Sequence, residues 1–480
     1  MKTTIPYTRD LVLVGGGHTH ALVLRSWGMN PLAGVRLTVI NPGPTAPYSG
    51  MLPGFVAGHY TREELDIDLV RLARFAGARL IAGKAVAIDP VAKTITVPDR
   101  PQIAYDVAAI DVGITSEMPK LAGFAAHGIP AKPLGVFASR WDMYRNTATV
   151  PKVAVIGGGV AGAELAMAMA YALRDKSPNV SLIDRGEVLD GFDAPARNRL
   201  LAALEELNVT LVEHADVVEV LPDAVRLSDG SLVASDFTTG AAGARPHDWI
   251  ADIGLELHDG FLSVGATLQT SDADVFAVGD CAHLSHDPRP KAGVFAVREA
   301  PFLFDNLRAQ LSGGRMRRFK PQKDYLKLIS LGGKTALAEK FGTARRGSLL
   351  WKWKDHIDRK FMTQFDALAP MDQQLPVSVA SGVKEAFGDA PMCGGCGAKV
   401  GRGALQTALA DLPKTDRNDI TALPGDDAAV LKTGNAVQAF TTDHLSAVTD
   451  DPVLMAKIAT VHALGDIWAM GADPQAAVLS

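Results

Sequence analysis

Residues 152–166 read KVAVIGGGVAGAELA, and this stretch constrains the fold more than any other. The apolar run VAVI is typical of a buried parallel strand. Gly157, Gly159 and Gly162 follow it in the spacing G-x-G-x-x-G, and a helical segment comes next. Glycines allow a tight turn and a close backbone approach, so the free amides at the helix start can bind a phosphate. The stretch therefore predicts a parallel α/β unit with a dinucleotide site.

An acidic residue after the next strand indicates which dinucleotide is preferred. The strand VSLID ends at Asp184, at the spacing that places a carboxylate beside the adenosine ribose. This carboxylate would accept hydrogen bonds from ribose hydroxyls and repel a 2′-phosphate, which favours NADH. NADPH stays an alternative because Arg185 is adjacent and a guanidinium can bind that phosphate. A Rossmann-like unit that binds no ligand is the other alternative.

A second, less complete glycine turn lies near the N-terminus. Residues 10–20 read DLVLVGGGHTH, in which Gly15 and Gly17 match the same fingerprint after an apolar strand. His20 occupies the third glycine position, and the next strand ends at Asn41 where an acid is usual. By itself, this stretch predicts either a pyrophosphate-binding turn or a plain tight turn.

A third element brings an acid to a strand end. In TSDADVFAVGD, residues 270–280, a short apolar strand delivers Asp280 to its carboxyl end, where ligands bind in open α/β sheets. Such a carboxylate can accept a hydrogen bond from a ribitol hydroxyl of a flavin. The alternative is an ordinary helix cap, for which Asp is a favoured residue.

Together these motifs resemble the two-dinucleotide-binding flavoprotein family, in which an NAD(P)H domain interrupts an FAD domain. The resemblance covers residues 8–345. YSGMLPGFVAGHY (residues 48–60) and KAGVFAVREAPFLFDNL (residues 291–307) are most similar to the type-II NADH dehydrogenase and sulfide:quinone oxidoreductase branch. The resemblance implies FAD at Gly15, Gly17 and Asp280, and a nicotinamide cofactor at Gly157, Gly159, Gly162 and Asp184.

The cysteine content narrows the chemistry of this segment. Cys281 is its one cysteine, and a redox disulfide needs two thiols within bonding distance. Disulfide reduction and cysteine-based sulfide oxidation are therefore not expected here. Hydride transfer from NAD(P)H to FAD, and then to an acceptor such as a quinone, remains. We expect Cys281 to be a small buried residue.

Residues 349–365, LLWKWKDHIDRKFMTQF, predict an amphipathic helix. Its apolar face comprises Leu350, Trp353, Ile357, Phe361 and Phe365, and basic residues border this face. A quinone reductase can use such a helix for peripheral membrane contact. The other interpretation is a terminal helix packed on the FAD domain, which the acidic residues Asp355, Asp358 and Asp366 favour.

A linker-like stretch, residues 368–391, precedes MCGGCGAKV. As half of a metal site, C-x-x-C needs two more ligands, for which His444 and His462 are the candidates. As a redox pair, it should follow a strand, whereas proline and linker precede it. As a glycine loop, it would carry Cys396 as a nucleophile and Lys399 as a phosphate-binding cation that favours the thiolate.

Acidic residues downstream bear on these alternatives. Asp426 and Asp427 precede a predicted strand, Asp443 follows another in AFTTDHL, and Asp466 lies in the apolar helix ATVHALGDIWAMGADP. A carboxylate among apolar neighbours is costly unless it is paired or bound to metal. The set suggests Mg²⁺ and ATP phosphates, although a cap or turn explains Asp426 adequately.

GCGAKV, DDAAV, TTD and HALGDIWAMGADP together resemble the N-terminal half of selenophosphate synthetase (selenide, water dikinase) over residues 391–480. The resemblance implies ATP-dependent conversion of selenide and water to selenophosphate, AMP and phosphate. By this match Cys396 and Lys399 are catalytic, Asp427 and Asp466 are magnesium ligands, and Asp443 contacts ATP. The chain stops within well-patterned sequence, so we expect a truncated synthetase part that cannot complete the reaction alone.

The expected fold class is α/β, with FAD and NAD(P)H Rossmann-like domains followed by a truncated α+β ATP-binding synthetase domain. The predicted parts are 1–150 (FAD, first part), 151–247 (NAD(P)H), 248–345 (FAD, second part), 346–390 (helix and linker) and 391–480 (synthetase). The complete protein is expected to be a homodimer, as in the synthetase family.

The net charge and the cysteine content limit which partners and which cellular compartment we expect. A net charge of −5 gives no sign of a nucleic-acid partner. Three cysteines cannot build a disulfide framework, and the N-terminus has no signal-peptide pattern. We therefore expect a cytoplasmic protein, with peripheral attachment at the inner face of the membrane as the alternative. The expected substrates are selenide, ATP and, for the flavoprotein, a quinone or a selenium compound.

Three functions fit these patterns. The first is a bifunctional enzyme whose flavoprotein half brings selenium to the selenide level and whose second half phosphorylates selenide. The second is an NADH:quinone oxidoreductase unconnected to selenium chemistry. The third is a flavin redox sensor that regulates the synthetase.

Overall fold

The computed structural model describes residues 7–116, 118–340, 342–368, 417, 419–421, 428–443, 445 and 451–477. The chain divides into two units, Met1–Ala369 and Pro370–Ser480. Cys396, Lys399 and Asp427 lie outside the described residues. The finer division into five parts stays a prediction.

The elements of the first unit follow in chain order. Its strands are β1 (Arg9–Val14), β2 (Val35–Asn41), β3 (Thr45–Pro47), β4 (Asp66–Asp68), β5 (Arg79–Ala82), β6 (Ala87–Asp89), β7 (Thr94–Thr96), β8 (Ile103–Ala104), β9 (Val107–Ile110), β10 (Thr115–Ser116), β11 (Gly128–Pro130), β12 (Lys152–Ile156), β13 (Asn179–Ile183), β14 (Val209–Val212), β15 (Val217–Val220), β16 (Ala224–Leu227), β17 (Leu232–Ala234), β18 (Phe237–Gly240), β19 (Ala244–Arg245), β20 (Leu257–His258), β21 (Phe261–Val264), β22 (Val275–Ala277), β23 (Ala282–Leu284), β24 (Lys327–Ser330), β25 (Ala336–Lys340) and β26 (Thr343–Gly347). Its α-helices are α1 (His18–Met29), α2 (Leu52–Val56), α3 (Arg62–Leu65), α4 (Leu69–Phe75), α5 (Phe124–His127), α6 (Leu134–Thr147), α7 (Val160–Leu173), α8 (Ala194–Glu206), α9 (Gly293–Ser312) and α10 (Ser348–Asp366).

The first parallel sheet has the strand order β22-β9-β1-β2-β5. In the central strand β1, Leu11 lies opposite Leu37 of β2 on one side and Val107 of β9 on the other. These side chains are buried, as continuous apolar runs predict for parallel strands covered on both faces. The helices α1 and α9 pack against each other beside this sheet. This is the FAD-type Rossmann-like fold that the sequence predicted.

The second parallel sheet has the order β11-β18-β12-β13-β14 and is built around the complete glycine fingerprint. Its central strand β12 is buried from Val153 to Ile156. The helix α7 follows the glycine turn and buries small side chains together with Met167 and Met169. The strand–turn–helix–strand order confirms the second Rossmann-like prediction.

A small antiparallel sheet with the order β24-β25-β26 leads into α10. The helix packs on this sheet, and its buried residues are Asp358, Met362 and Phe365. Among the helices that the structure describes, none has a stretch long and apolar enough to cross a membrane.

The second unit contains an antiparallel sheet with the order β27 (Ile420–Thr421), β28 (Ala429–Thr433) and β29 (Ala436–Phe440), and the helix α11 (Pro452–Ala469). The helix starts where the carboxylate of Asp451 accepts hydrogen bonds from the amides of Val453 at 2.9 Å and Leu454 at 3.2 Å. Strands and a helix in this order agree with the predicted α+β class.

Candidate functional site

The complete glycine turn brings its predicted residues together at the carboxyl end of β12. Gly157 adopts a positive φ of 112°, which favours glycine. A Cβ on Gly162 would lie 1.9 Å from the carbonyl oxygen of Gly157, so α7 can approach the turn only without a side chain there. Asp184 accepts hydrogen bonds from the amides of Gly158 at 2.5 Å and Gly186 at 2.7 Å. Hydrogen bonds therefore hold the glycine turn together with Asp184, the residue predicted to bind the ribose.

The start of α7 is open. Gly159, Val160 and Ala161 are exposed, and Gly159 caps the helix without a side-chain hydrogen bond. Within the described residues, a Cβ on Gly159 would meet no heavy atom within 4 Å. Free amides facing open space at a helix start form a suitable phosphate site. Arg185 is exposed beside Asp184, so its guanidinium is accessible to a ligand.

The first glycine turn keeps the same geometry despite its unusual residues. Gly15 has a positive φ of 94°, and the side-chain oxygen of Asn41 accepts a hydrogen bond from the Gly16 amide at 2.9 Å. Asn41 thus makes the contact that Asp184 makes in the second sheet. Burial lowers the pKa of His20 to about 4, so its ring is neutral and Nδ1 donates to the Gly15 carbonyl at 2.7 Å.

A carboxylate that sequence reasoning missed occupies the start of α1. Asp111 directly follows β9, is 4% exposed, and accepts hydrogen bonds from the amides of Thr19 at 3.1 Å and His20 at 3.2 Å. A Cβ on Gly17 would lie 2.2 Å from Asp111 Cγ. Burial raises the pKa of Asp111 to about 7. The sequence offered a signal for Asp111, because it directly follows the apolar run VAAI. The same pattern, an acid at the end of an apolar strand, predicted Asp280.

Further charged groups lie beside the first turn. Asp280 forms an ion pair with Lys132 at 3.1 Å. Glu299 of α9 accepts a hydrogen bond from the Gly279 amide at 2.7 Å, and burial raises its pKa to about 7. Cys281 is fully buried, as predicted, and burial raises its pKa to about 12. The thiol is thus held protonated, which disfavours a nucleophilic role.

The residues at this edge are of the kinds that the predicted FAD site needs. The turn at Gly15 and Gly17 packs closely on Asp111, and Asp280 stands at the carboxyl end of β22, where a ligand of such a sheet binds. The start of α1 supplies amides that can hold a pyrophosphate, although Asp111 uses two of them. The edge therefore suits a flavin dinucleotide, and binding requires that the negative charge of Asp111 beside the pyrophosphate is compensated.

A second buried cluster joins α10 to the segment that follows β3. Lys354 donates to the carboxylate of Asp358 at 2.6 Å and to the Gly50 carbonyl at 2.7 Å. The Tyr48 hydroxyl donates to Asp358 at 3.4 Å, and its ring stacks on Phe361 with a centroid distance of 4.5 Å. These contacts show why α10 carries Asp358 on its buried face.

Glu164 of α7 adds a carboxyl group near this cluster. It accepts a hydrogen bond from the Ser330 amide at 2.7 Å. Burial raises its pKa to about 7, and the nearby charge of Lys354 partly opposes this rise. A carboxyl group with this pKa can exchange a proton near neutral pH.

The apolar face predicted for α10 is divided in the structure. Phe365 is buried, whereas Trp353 is 48% exposed and Ile357 is 40% exposed. Leu349, one turn before Trp353, is 76% exposed and extends this outward stripe. The helix α10 thus packs on the rest of the first unit, as the interpretation as a terminal packing helix predicted. It also presents apolar side chains outward, as the interpretation as a membrane-contacting helix requires.

In the second unit, two of the predicted aspartates have side-chain partners. Asp443 lies three residues after the end of β29, and its Oδ2 is 2.8 Å from Nδ1 of His462. Asp466 lies within α11 and accepts a hydrogen bond from the Thr441 hydroxyl at 3.1 Å. Residues next to β29 thus meet residues of α11.

Comparison with known proteins identifies the first unit. A family model described as pyridine nucleotide-disulphide oxidoreductase matches residues 9–300, which is more than half of the chain. The chain belongs to this family. Membership implies FAD and NAD(P)H as cofactors and makes the first unit a flavin-type pyridine nucleotide oxidoreductase. A second model, the N-terminal domain of AIR synthase related protein, matches residues 425–480, so this oxidoreductase is fused to part of such a domain.

Individual relatives agree with this division. The NADH dehydrogenase-like protein YutJ of Bacillus subtilis is 24% identical over 369 residues, which cover 72% of this chain and 99% of YutJ. The selenide, water dikinase of Clostridium botulinum is 39% identical over 87 residues, which cover 18% of this chain and 25% of that protein. The solved sulfide:quinone oxidoreductase of Aquifex aeolicus has a TM-score of 0.61 at 17% identity and covers 75% of this chain and 92% of its own. The last likeness shows the shared fold.

Proposed function

We propose that the chain is part of a bifunctional enzyme in which an FAD-dependent NAD(P)H oxidoreductase is fused to a selenide, water dikinase. The observation that carries this proposal is the pair of family matches on one chain, at residues 9–300 and 425–480, together with similarity to a selenide, water dikinase. The chain spans about a quarter of the length of that dikinase, so its complete reaction is part of the proposal.

In the oxidoreductase half, the two glycine turns would hold two different cofactors. Gly157, Gly159, Gly162 and Asp184 would hold the nicotinamide cofactor, and Gly15, Gly17 and Asp280 would hold FAD. Bound flavin supplies hydride acceptance from NAD(P)H and electron transfer to a second substrate. Lys132 would hold Asp280 in place through its ion pair, and the exposed start of α7 lets a nucleotide enter from solvent.

In the dikinase half, Cys396 and Lys399 would be the catalytic residues, Asp427 and Asp466 would bind Mg²⁺, and Asp443 would contact ATP. The support is the similarity of these motifs to the synthetase family. In the structure, Thr441 orients the carboxylate of Asp466 and His462 that of Asp443, which would hold both acids ready for a ligand. The reaction would convert ATP, selenide and water to selenophosphate, AMP and phosphate, and we propose a homodimer for the complete enzyme.

The two halves would be linked if the flavoprotein supplies selenium at the selenide level. Anaerobic stopped-flow absorbance tests this link. NADH is added to the purified chain, and the reduced flavin is then mixed with a selenium compound or a quinone analogue in separate runs. Reoxidation by selenium alone supports the linked pathway. A flavin that NADH reduces but that passes electrons to neither compound indicates a redox sensor, and the absence of bound flavin refutes the oxidoreductase proposal.

A second candidate is an NADH:quinone oxidoreductase whose fused partner serves an unrelated step. The outward stripe of Leu349, Trp353 and Ile357 favours it, because the same helix α10 also exposes basic residues, and this combination is typical of helices at a membrane interface. A cytoplasmic protein attached to the inner face of the membrane would follow. Glu164, near Lys354, would then donate one of the two protons that a quinone takes up when the flavin reduces it to quinol. Reoxidation of the flavin by quinone, with no response to selenium, supports this candidate.

A further inference from the structure

The carboxylate of Asp111 lies at the start of α1, where the proposed FAD site would hold the pyrophosphate. Its Oδ2 accepts hydrogen bonds from the amides of Thr19 and His20, two of the free N–H groups at the start of α1. A helix start attracts anions through these amides and its dipole. In the protein without cofactor, Asp111 is itself the anion that satisfies them.

The surroundings of Asp111 provide little compensation for a second anion. Two further carboxylates, Asp280 and Glu299, lie near enough to raise the pKa of Asp111. The charged and titratable groups around it are His18 and His20 on α1, Asp280 and Cys281 on the Gly279–Cys281 turn, Glu299 on α9, Lys291 before α9, and Lys132 after β11.

Few of these groups offset the charge of Asp111. Lys132 is paired with Asp280, and Lys291 donates to the Ala282 carbonyl while facing both Asp280 and Glu299. His20 is neutral because its pKa is about 4, and Cys281 is neutral because its pKa is about 12. A doubly charged pyrophosphate placed beside an ionised Asp111 would therefore face strong repulsion in a buried site.

We propose that Asp111 takes up one proton from solvent when FAD binds, so that the carboxylic acid shares the start of α1 with the pyrophosphate. The step transfers a proton to the Asp111 carboxylate, and the chemical structure of FAD stays unchanged. The neutral group can donate its O–H to a phosphate oxygen. Burial places the pKa of Asp111 at about 7 without the cofactor, so the uptake takes place in the neutral range. This inference rests on the proposed FAD site and adds the group that controls its affinity.

The test is the dissociation constant of FAD from the cofactor-free protein between about pH 6 and about pH 8.5, followed by quenching of flavin fluorescence. We expect the constant to be flat below about pH 6.5 and to rise toward tenfold per pH unit above about pH 7. The variant D111N keeps an acceptor for the two amides but has no proton to gain, so its constant should be independent of pH. The variant E299Q should keep the slope of the wild type.

A second measurement needs no variant. Mixing FAD with the wild-type protein in weakly buffered solution at about pH 8 should raise the pH by the uptake of close to one proton per flavin bound. A wild-type constant independent of pH, no proton uptake, a slope retained in D111N, or a slope lost in E299Q would each overturn the role of Asp111. Failure of both wild type and D111N to bind FAD at any pH would instead refute the proposed flavin function.

Discussion

Gly162 and Gly159 lie in the same glycine turn, and the structure predicts opposite consequences for substitutions at these positions. In Gly162→Ala, the new Cβ would lie 1.9 Å from the carbonyl oxygen of Gly157, and contacts below 3.0 Å are essentially never seen. Both atoms are fixed to the backbone, so α7 must shift by about 1 Å. Overpacking of this kind costs roughly 3 kcal/mol, and the better helix propensity of alanine returns about 1 kcal/mol.

The net loss for Gly162→Ala is therefore about 2 kcal/mol in the free energy of unfolding, or a fall in Tm of roughly 3 °C for a unit the size of Met1–Ala369. The matched change is Gly159→Ser. Gly159 has φ −69° and ψ 178°, which serine adopts readily, and serine is a favoured helix cap. Its stability should stay within about 0.5 kcal/mol of the wild type.

The serine side chain of Gly159→Ser nevertheless occupies the open space in front of the α7 amides. We expect the apparent dissociation constant for NADH to rise at least tenfold, or about 1.4 kcal/mol. Thermal unfolding and the NADH dependence of flavin bleaching in anaerobic stopped flow measure the two effects. Unchanged stability in Gly162→Ala, or unchanged NADH binding in Gly159→Ser, would refute the assignment of one glycine to packing and the other to phosphate binding.

Three further changes test other parts of the site. Asp184→Ala should weaken NADH binding by roughly tenfold and reduce the preference over NADPH, because a charged hydrogen-bond acceptor is lost; titration with both nucleotides checks this, and an unchanged preference would count against the ribose contact. Cys281→Ala should leave NADH oxidation unchanged and cost about 1 kcal/mol in stability, since a buried thiol with a pKa of about 12 is unreactive; lost activity with an intact fold would show a redox role. Trp353→Asp should abolish co-sedimentation with anionic lipid vesicles without lowering Tm, because Trp353 is 48% exposed; equal sedimentation of both proteins would leave α10 as a packing helix only.

The sequence was sufficient to predict both Rossmann-like sheets because their defining signal is local. A buried strand, a glycine turn and a helix start are adjacent in the chain, as in residues 152–166. Departures from the pattern were harder to interpret. Asn41 and His20 keep the turn geometry through contacts with Gly16 and Gly15 that a motif does not specify.

Long-range contacts explain what the sequence did not reveal. Asp111 meets an amide of Thr19 across 92 positions of the chain, and Lys132 meets Asp280 across 148. No local pattern encodes such pairs. The division of the apolar face of α10 has the same origin, because the sheet β24-β25-β26 and Tyr48 determine which side of the helix is covered.

The two glycine turns share a backbone geometry but differ in what holds their helix amides, and this difference bears on how the proposed cofactors would be used. At α7 the amides face open space, so a nucleotide can enter and leave with little rearrangement. At α1 a buried carboxylate already holds them, and any ligand must change the charge state or the position of Asp111. A nicotinamide nucleotide must exchange at every turnover, whereas a flavin that stays bound enters its site only once and can therefore occupy a closed one. The contrast therefore favours the assignment of the open turn to NAD(P)H and the closed turn to FAD on physical grounds that are independent of the motif match.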